Sequence, residues 1–310
     1  FGYGAADEVR RRFIIPLWNV YSFFVTYANI DNYDPSTSGP AIETRSELDR
    51  WIVSELNNLV VQMTTSLENY EPDRATRLAE NFVEYLSNWY VRRSRRRFWK
   101  SGVINSDDDV DIDKLSAYST LFECLITLTK LLAPIMPFVT ESMYQNLSMP
   151  LSDSPKSVHL TSYPLPNKSL VDEDLSAATR LAMRLSSMGR AARSKAGLKV
   201  RQPLQKVIIK LNTASESVLL DHISSQIRDE LNVKTIVSIT DEFEVLDIQI
   251  QPNMSLIGPK YGEKSSNLRS LISDSDPREI YGHITNGQDL KIGPYNLHAT
   301  ELNVMHSERE

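Results

Sequence analysis

From Ser46 to Tyr70, apolar side chains return every three or four positions: Leu48, Trp51, Ile52, Leu56, Leu59, Val60, Met63 and Leu67. At about 100° per residue these fall on one side of a helix, and so apolar a side must be covered by another element. The same spacing recurs on either side of it. Asp7 to Ile30 carries Phe13, Leu17, Val20, Tyr21 and Phe24, with Pro16 expected to kink the helix or divide it. A helix starting near Pro72 carries Leu78, Phe82, Tyr85, Leu86 and Trp89, and another runs from Asp113 to Leu132. Pro134 and Pro137 interrupt that pattern before a short continuation to Leu147. Long amphipathic segments joined by short loops predict a helical bundle.

After the bundle the pattern changes. Met149 to Leu170 is rich in Ser, Pro and polar residues and reads as a linker over the bundle surface. A further helix is expected from Asp172 to Lys195. Then Val207, Ile208, Ile209 and Leu211 read as a strand, followed by a helix at Ser215 to Leu231. Strands at Thr235 to Ile239 and Glu244 to Ile250, a helix at Pro259 to Leu271 and strand-like pieces in the tail complete the reading. The predicted fold is therefore mainly α: a helical bundle over residues 1–165, then a junction helix and a small α+β domain over 166–310. A chain of 310 residues is long enough for both parts to bury their own cores.

The net charge of −6 does not suggest a binder of polyanions, so the distribution of charge matters more than its sum. Asn88 to Lys100 holds five arginines, a lysine and four aromatics without one acid. At helical spacing the apolar stripe of the preceding segment passes into Arg92, Arg93 and Arg96. Guanidinium forks suit phosphates and the neighbouring rings suit bases, which predicts a nucleic-acid contact. The alternative is an internal ion-pair cluster with Asp107, Asp108, Asp109, Asp111 and Asp113 just downstream. From Leu175 to Ser215 there are nine basic residues and no acid, either a polyanion surface or a solvated helix face. Candidate RNA contacts are Arg93, Arg96, Arg97 and Lys100, with Trp99 as a stacking ring. Arg193, Lys195, Lys199 and Arg201 would extend the positive track. Lys260 joins them from Ile257-Gly258-Pro259-Lys260-Tyr261-Gly262, read as a tight turn feeding a helix, where backbone amides could hold an anion.

No catalytic constellation is legible. There is no phosphate-cradling glycine loop, dinucleotide fingerprint or nucleophile elbow, and carboxylate pairs such as Glu80 and Glu84 read as a solvated helix face. Cys124 is the one cysteine and sits in an apolar pattern, which excludes an intrachain disulfide and a cysteine-rich zinc site. His159, His222, His283, His298 and His306 lack metal-ligand spacing. No catalytic residue, metal or membrane span is expected, since no apolar run reaches the roughly 18 residues a bilayer needs. Phe1 reads as a cut edge.

Several segments resemble one family, the isoleucyl-tRNA synthetases of class I. They are FIIPLWNVYSFFVTYANID from Phe13, DRWIVSELN from Asp49, NWYVRRSRRRFWKSG from Asn88 and LLAPIMPFVTESMYQNL from Leu131. In the second part they are KAGLKVRQPL from Lys195, ELNVK from Glu230 and LIGPKYGEK from Leu256. The resemblance implies the C-terminal part of such an enzyme: a helical anticodon-binding domain and an extension that helps grip the anticodon stem-loop. It implies a tRNA with isoleucine anticodon and the catalytic domain of the same polypeptide as partners, no DNA, and a cytoplasmic location. ATP and Mg would serve the full-length enzyme, with no cofactor in this part. The nucleotide-binding signatures are absent here, and family order places the lysine-rich one just before Phe1. Some members end in a cysteine-ligated zinc site, which a chain with Cys124 alone lacks. The bundle motifs are shared with valyl relatives, so the resemblance also leaves open the matching region of a valyl-type enzyme. A helical protein–protein scaffold and a complete stand-alone enzyme are the rival classes. Within the arginine run, Arg92 and Arg95 are read as structural.

Overall fold

The structure is a computed structural model and describes residues 2–37, 39–102, 104, 110–211 and 213–308. The chain divides into two compact units, Phe1–Ser187 and Met188–Glu310. The division falls inside a helix rather than in the linker at 165/166. The reason is that the linker packs on the bundle. Tyr144 donates to the Pro155 carbonyl at 3.1 Å, the Val158 amide to Glu141 at 2.9 Å, and the Asn167 amide to Asn57 at 2.8 Å.

The first unit contains α1 (Tyr3–Val9), α2 (Ile15–Asp31), α3 (Glu47–Glu68), α4 (Pro72–Tyr85), α5 (Arg92–Phe98), α6 (Ile112–Leu132) and α7 (Pro137–Ser148). It ends in α8 (Glu173–Lys195), which runs into the second unit. Pro72 opens α4 at a position where its missing amide costs nothing. Ser46 caps α3 by accepting from the Asp49 amide at 3.3 Å. Pro16 does not end its helix. A π turn at Arg10–Ile14 joins α1 to α2 and absorbs the hydrogen bond the proline cannot donate. The core gathers Trp51, Ile52, Leu86, Tyr118, Leu121 and Leu125, all fully buried. Phe98 sits edge-on to Phe23 and Tyr118, with ring centres 5.0 and 4.7 Å away. Two helical stretches, Tyr3–Asp31 and Ile112–Leu132, do reach membrane-spanning length and hydropathy. Each places side chains in the bundle core, Leu17, Val20 and Phe24 from one and Leu121, Leu125 and Leu128 from the other.

A second π turn, Leu86–Val91, joins α4 to α5. It takes one residue more than an α turn and so retards the helical phase. From its end onward the buried positions are Tyr90, Val91, Ser94 and Phe98. The expected stripe through Arg93 and Arg96 is displaced by one residue, and Arg97 turns inward instead.

The second unit holds β1 (Leu204–Lys210), α9 (Ala214–Leu231) and β2 (Val233–Ile239), in which α9 connects two parallel strands. Then follow β3 (Leu246–Pro252), α10 (Met254–Tyr261), α11 (Ser265–Asp274), α12 (Pro277–Thr285), β4 (Leu290–Ile292), β5 (Tyr295–Leu297) and β6 (Leu302–Glu308). β3 pairs with β6 and β4 with β5, both antiparallel. Ile257, Leu268, Ile272, Ile280 and Leu297 form the core between them. The Ile257–Gly262 segment differs from expectation: it is already helical, with Pro259 inside α10, and the turn comes only at Gly262, whose φ of 55° favours glycine.

Candidate nucleic-acid interface

The arginine run is organised around one buried carboxylate. Asp49, in the first turn of α3, is inaccessible to solvent. The Arg97 fork meets it with both arms, Nη1 to Oδ1 at 2.8 Å and Nη2 to Oδ2 at 2.6 Å. The Tyr90 hydroxyl donates to the same carboxylate at 2.7 Å, and the Ser46 hydroxyl at 2.8 Å. Arg97 also donates to the Asp113 carbonyl at 2.8 Å, and its Nε lies 2.8 Å from the Asp113 carboxylate. Burial works against the charge of Arg97, but Asp49, Tyr90 and Asp113 together outweigh it and raise the guanidinium pKa.

Burial, and then the Asp49 charge, raise the Tyr90 hydroxyl well above its ordinary value. Its pKa is higher folded than unfolded, so its contribution is complete below the unfolded value near 10.0. It is lost as pH rises from there through the folded value. Stability should therefore fall above about pH 10, and more gently in Tyr90→Phe than in the parent, read from urea midpoints across that range.

Lys100 and Lys114 fasten the chain leaving α5. Lys100 lies 2.8 Å from Asp113 and 3.5 Å from Asp111, and its hydrogen bond to Asp113 raises its pKa. Lys114 is almost wholly buried in α6. Its ammonium donates to the carbonyls of Lys100 at 2.7 Å and Gly102 at 3.3 Å, and sits 2.8 Å from the Asp31 carboxylate. The Tyr118 hydroxyl donates to that same carboxylate.

What remains faces water. Arg95 and Arg96 are exposed and have no carboxylate partner among the described residues. Trp99 is 58% exposed, with its indole edge anchored by donation to the Tyr27 hydroxyl at 2.7 Å. Arg92 and Arg93 lie over the buried Trp89 ring at 5.7 and 5.2 Å. Asp107, Asp108 and Asp109, the expected partners of an internal cluster, lie outside the described residues, while Asp111 and Asp113 engage Lys100 and Arg97.

In the second unit α8 ends in a Schellman motif. The Leu198 amide bonds the Arg193 carbonyl at 2.8 Å and the Gly197 amide that of Ser194 at 3.1 Å, with Gly197 at φ 70°. Arg193 is buried under the following loop and donates to the carbonyls of Leu231 at 3.2 Å, Lys199 at 2.5 Å and Gln202. The Asn232 side-chain carboxamide donates to the Val200 and Arg201 carbonyls, each at 3.1 Å. With the loop carbonyls held inward, Lys195, Lys199 and Arg201 are exposed, with no carboxylate partner among the described residues.

The structure thus sorts the sequence candidates. Arg96, Trp99, Lys195, Lys199 and Arg201 stand at the surface. Lys100 is half engaged. Arg97 and Arg193 are drawn inward, since buried forks bond to protein acceptors before any ligand arrives. Lys260 pairs with Glu301 at 2.7 Å and lies 5.1 Å from the Tyr261 ring centre, so its ammonium is also engaged. Arg95, read as structural, is solvent-facing, because the π turn shifts the phase. Cys124 is buried, and among the described residues no group of three His, Cys, Asp or Glu is placed to hold a metal.

A family model described as the anticodon-binding domain of tRNA ligase matches residues 49–209. The isoleucine–tRNA ligase of Dehalococcoides mccartyi strain CBDB1 is 56% identical over 232 residues, covering 74% of this chain and 22% of that protein. The isoleucine–tRNA ligase of Thermus thermophilus is 40% identical over 274 residues, 88% of this chain and 26% of its own length. That of Clostridium novyi is 37% identical over 286 residues, 92% and 26% respectively. The chain spans about a quarter of the length of these curated relatives.

Proposed function

The chain belongs to the family of tRNA-ligase anticodon-binding domains, and on that premise we propose that it binds the anticodon stem-loop of an isoleucine-type tRNA. Arg95 and Arg96 meet phosphates, Trp99 offers a stacking face, and Lys100 adds charge at the same helix end. In the second unit, taken by itself, Lys195, Lys199 and Arg201 provide a further positive surface. The observation that carries the reading is the segregation within α5: Arg97 is held by Asp49, while the two arginines before it stay exposed without a carboxylate partner among the described residues. A helix built only for internal pairing would have no use for the outward pair. The acidic whole does not oppose this, since RNA responds to the local field.

Within a longer isoleucine–tRNA ligase this part would hold tRNA for isoleucylation in the cytoplasm. The catalytic domain of the same polypeptide would carry the ATP- and Mg-dependent steps, leaving no ligase chemistry to the residues here. The isoleucine assignment is supported by the names of the relatives, and competition between isoleucine-type and valine-type tRNAs tests it.

The phosphate contacts are tested with Arg95→Gln/Arg96→Gln. Both side chains are exposed, so the fold should survive. Affinity for the tRNA should fall about tenfold or more at low salt. The slope of log affinity against log salt should become shallower by about 1.4, roughly 0.7 for each phosphate left unneutralised on a single-stranded segment. Unchanged affinity and slope would remove both arginines from the interface and favour the scaffold reading.

A further inference from the structure

Away from α5, the first unit contains a pocket of about 170 Å³ between α3, α4 and α8 that includes none of the residues assigned above. Its lining is mixed in a particular way. Leu59, Leu78 and Phe82 contribute apolar surface, and Tyr85 adds a half-buried ring. Three carboxamides, Asn58, Gln62 and Asn81, line the same space. Asn58 donates to Glu173 at 3.3 Å, whereas Gln62 and Asn81 have no hydrogen-bond partner among the described residues. Carboxamides both donate and accept, and amides around an aromatic surface are how proteins read the edge of a splayed base.

Glu55 and Arg180 also line the pocket, joined at 2.8 Å. Glu55 is buried while Arg180 is 42% exposed, with its second arm 3.8 Å from Glu173, so a carboxylate acceptor stands beside a part-exposed guanidinium donor. Burial raises the Glu55 carboxyl, while Arg180, Ser176 and Trp51 pull the other way. Guanine has the matching edge, an O6 acceptor beside the N1 and N2 donors. Adenine and cytosine lack that order, and uracil has one donor fewer.

We propose that this pocket takes a single unstacked nucleobase, guanine in preference to the other three. Tyr85 and Phe82 pack against the ring, Glu55 and Arg180 read its edge, and Gln62 and Asn81 close over the remaining polar groups. The proposal deepens the tRNA reading and rests on it for the source of the base. Tyr85 ends α4, and Arg95 follows ten residues later on the same unbroken helical rod, about 15 Å along its axis at the usual rise. A loop whose backbone lies on the arginines has a base site within its own dimensions.

The intact chain, isotopically labelled, should be titrated with guanosine 5′-monophosphate while the side-chain amides of Gln62 and Asn81 are followed by nuclear magnetic resonance. Saturable shifts are expected, with binding about tenfold weaker for the adenosine, cytidine and uridine counterparts and none for ribose 5-phosphate. Asn81→Ala/Gln62→Ala alters only exposed side chains and should keep the parent melting temperature while weakening guanosine monophosphate about tenfold. Equal response to all four nucleotides, response to ribose 5-phosphate, or no saturable shift would each overturn the proposal. The two readings separate cleanly: tRNA binding without the guanosine response sinks the pocket alone, and the guanosine response without tRNA binding sinks the tRNA reading alone.

Discussion

Replacing Asp49 with alanine is expected to cost the bundle about 3–5 kcal/mol, the loss typical when one member of a buried ion pair is removed. The size follows from what stays behind. The Arg97 fork, with both arms on Asp49, would keep its charge in a site 11% open to water, with Asp113 its one remaining carboxylate partner among the described residues. The Tyr90 hydroxyl would be without the acceptor 2.7 Å away, and Ser46 without its partner at the start of α3. Urea denaturation should show a lower midpoint at an unchanged slope. The double variant Asp49→Ala/Arg97→Met should recover most of the stability, because it removes the stranded charge as well as its partner. A cost below about 1 kcal/mol in the single variant would mean that water reaches the pair and that it behaves like a surface contact.

Lys114→Met is expected to have the next largest effect, about 3 kcal/mol, and a more local signature. The methionine fills the space of the lysine stem but cannot donate. The carbonyls of Lys100 and Gly102 would be without their donor, and the Asp31 carboxylate would lose its ammonium partner while keeping its bond from Tyr118. Since Lys114 fastens the chain just past Trp99, the tryptophan emission spectrum should shift. Amide exchange over Trp99 to Gly102 should quicken more than in the rest of the bundle. A uniform increase everywhere would make Lys114 an ordinary core residue rather than a clamp on this segment.

Much of the architecture was readable because its causes are local. The stripe from Leu48 to Leu67, the Ser46 cap and the first-turn proline at Pro72 act over a few residues, and α3 and α4 lie where those signals put them. Pro16 shows the limit: a proline marks a disturbance in the helix, and whether it becomes a break or a π turn depends on neighbours distant in the chain. The interface was legible as a region and not residue by residue. Arg95, Arg96 and Arg97 are alike in composition. Only the contact between Arg97 and Asp49, separated by 48 positions, decides which one is internal. Arg193 has the same lesson in another form. Among the described residues it is buried against backbone carbonyls rather than an acid, and no sequence pattern displays those carbonyls. Lys114 gave no signal at all, since a lone lysine in an amphipathic helix reads as solvated.

The extra residue in the turn at Leu86–Val91 has a bearing on how such helices diverge. It acts as a vernier, setting which cation of the following run is locked away and which are offered outward. Inserting or deleting one position upstream would exchange those roles while every arginine kept its neighbours in the chain. Relatives with the same basic run can therefore present different patterns of charge to a nucleic acid.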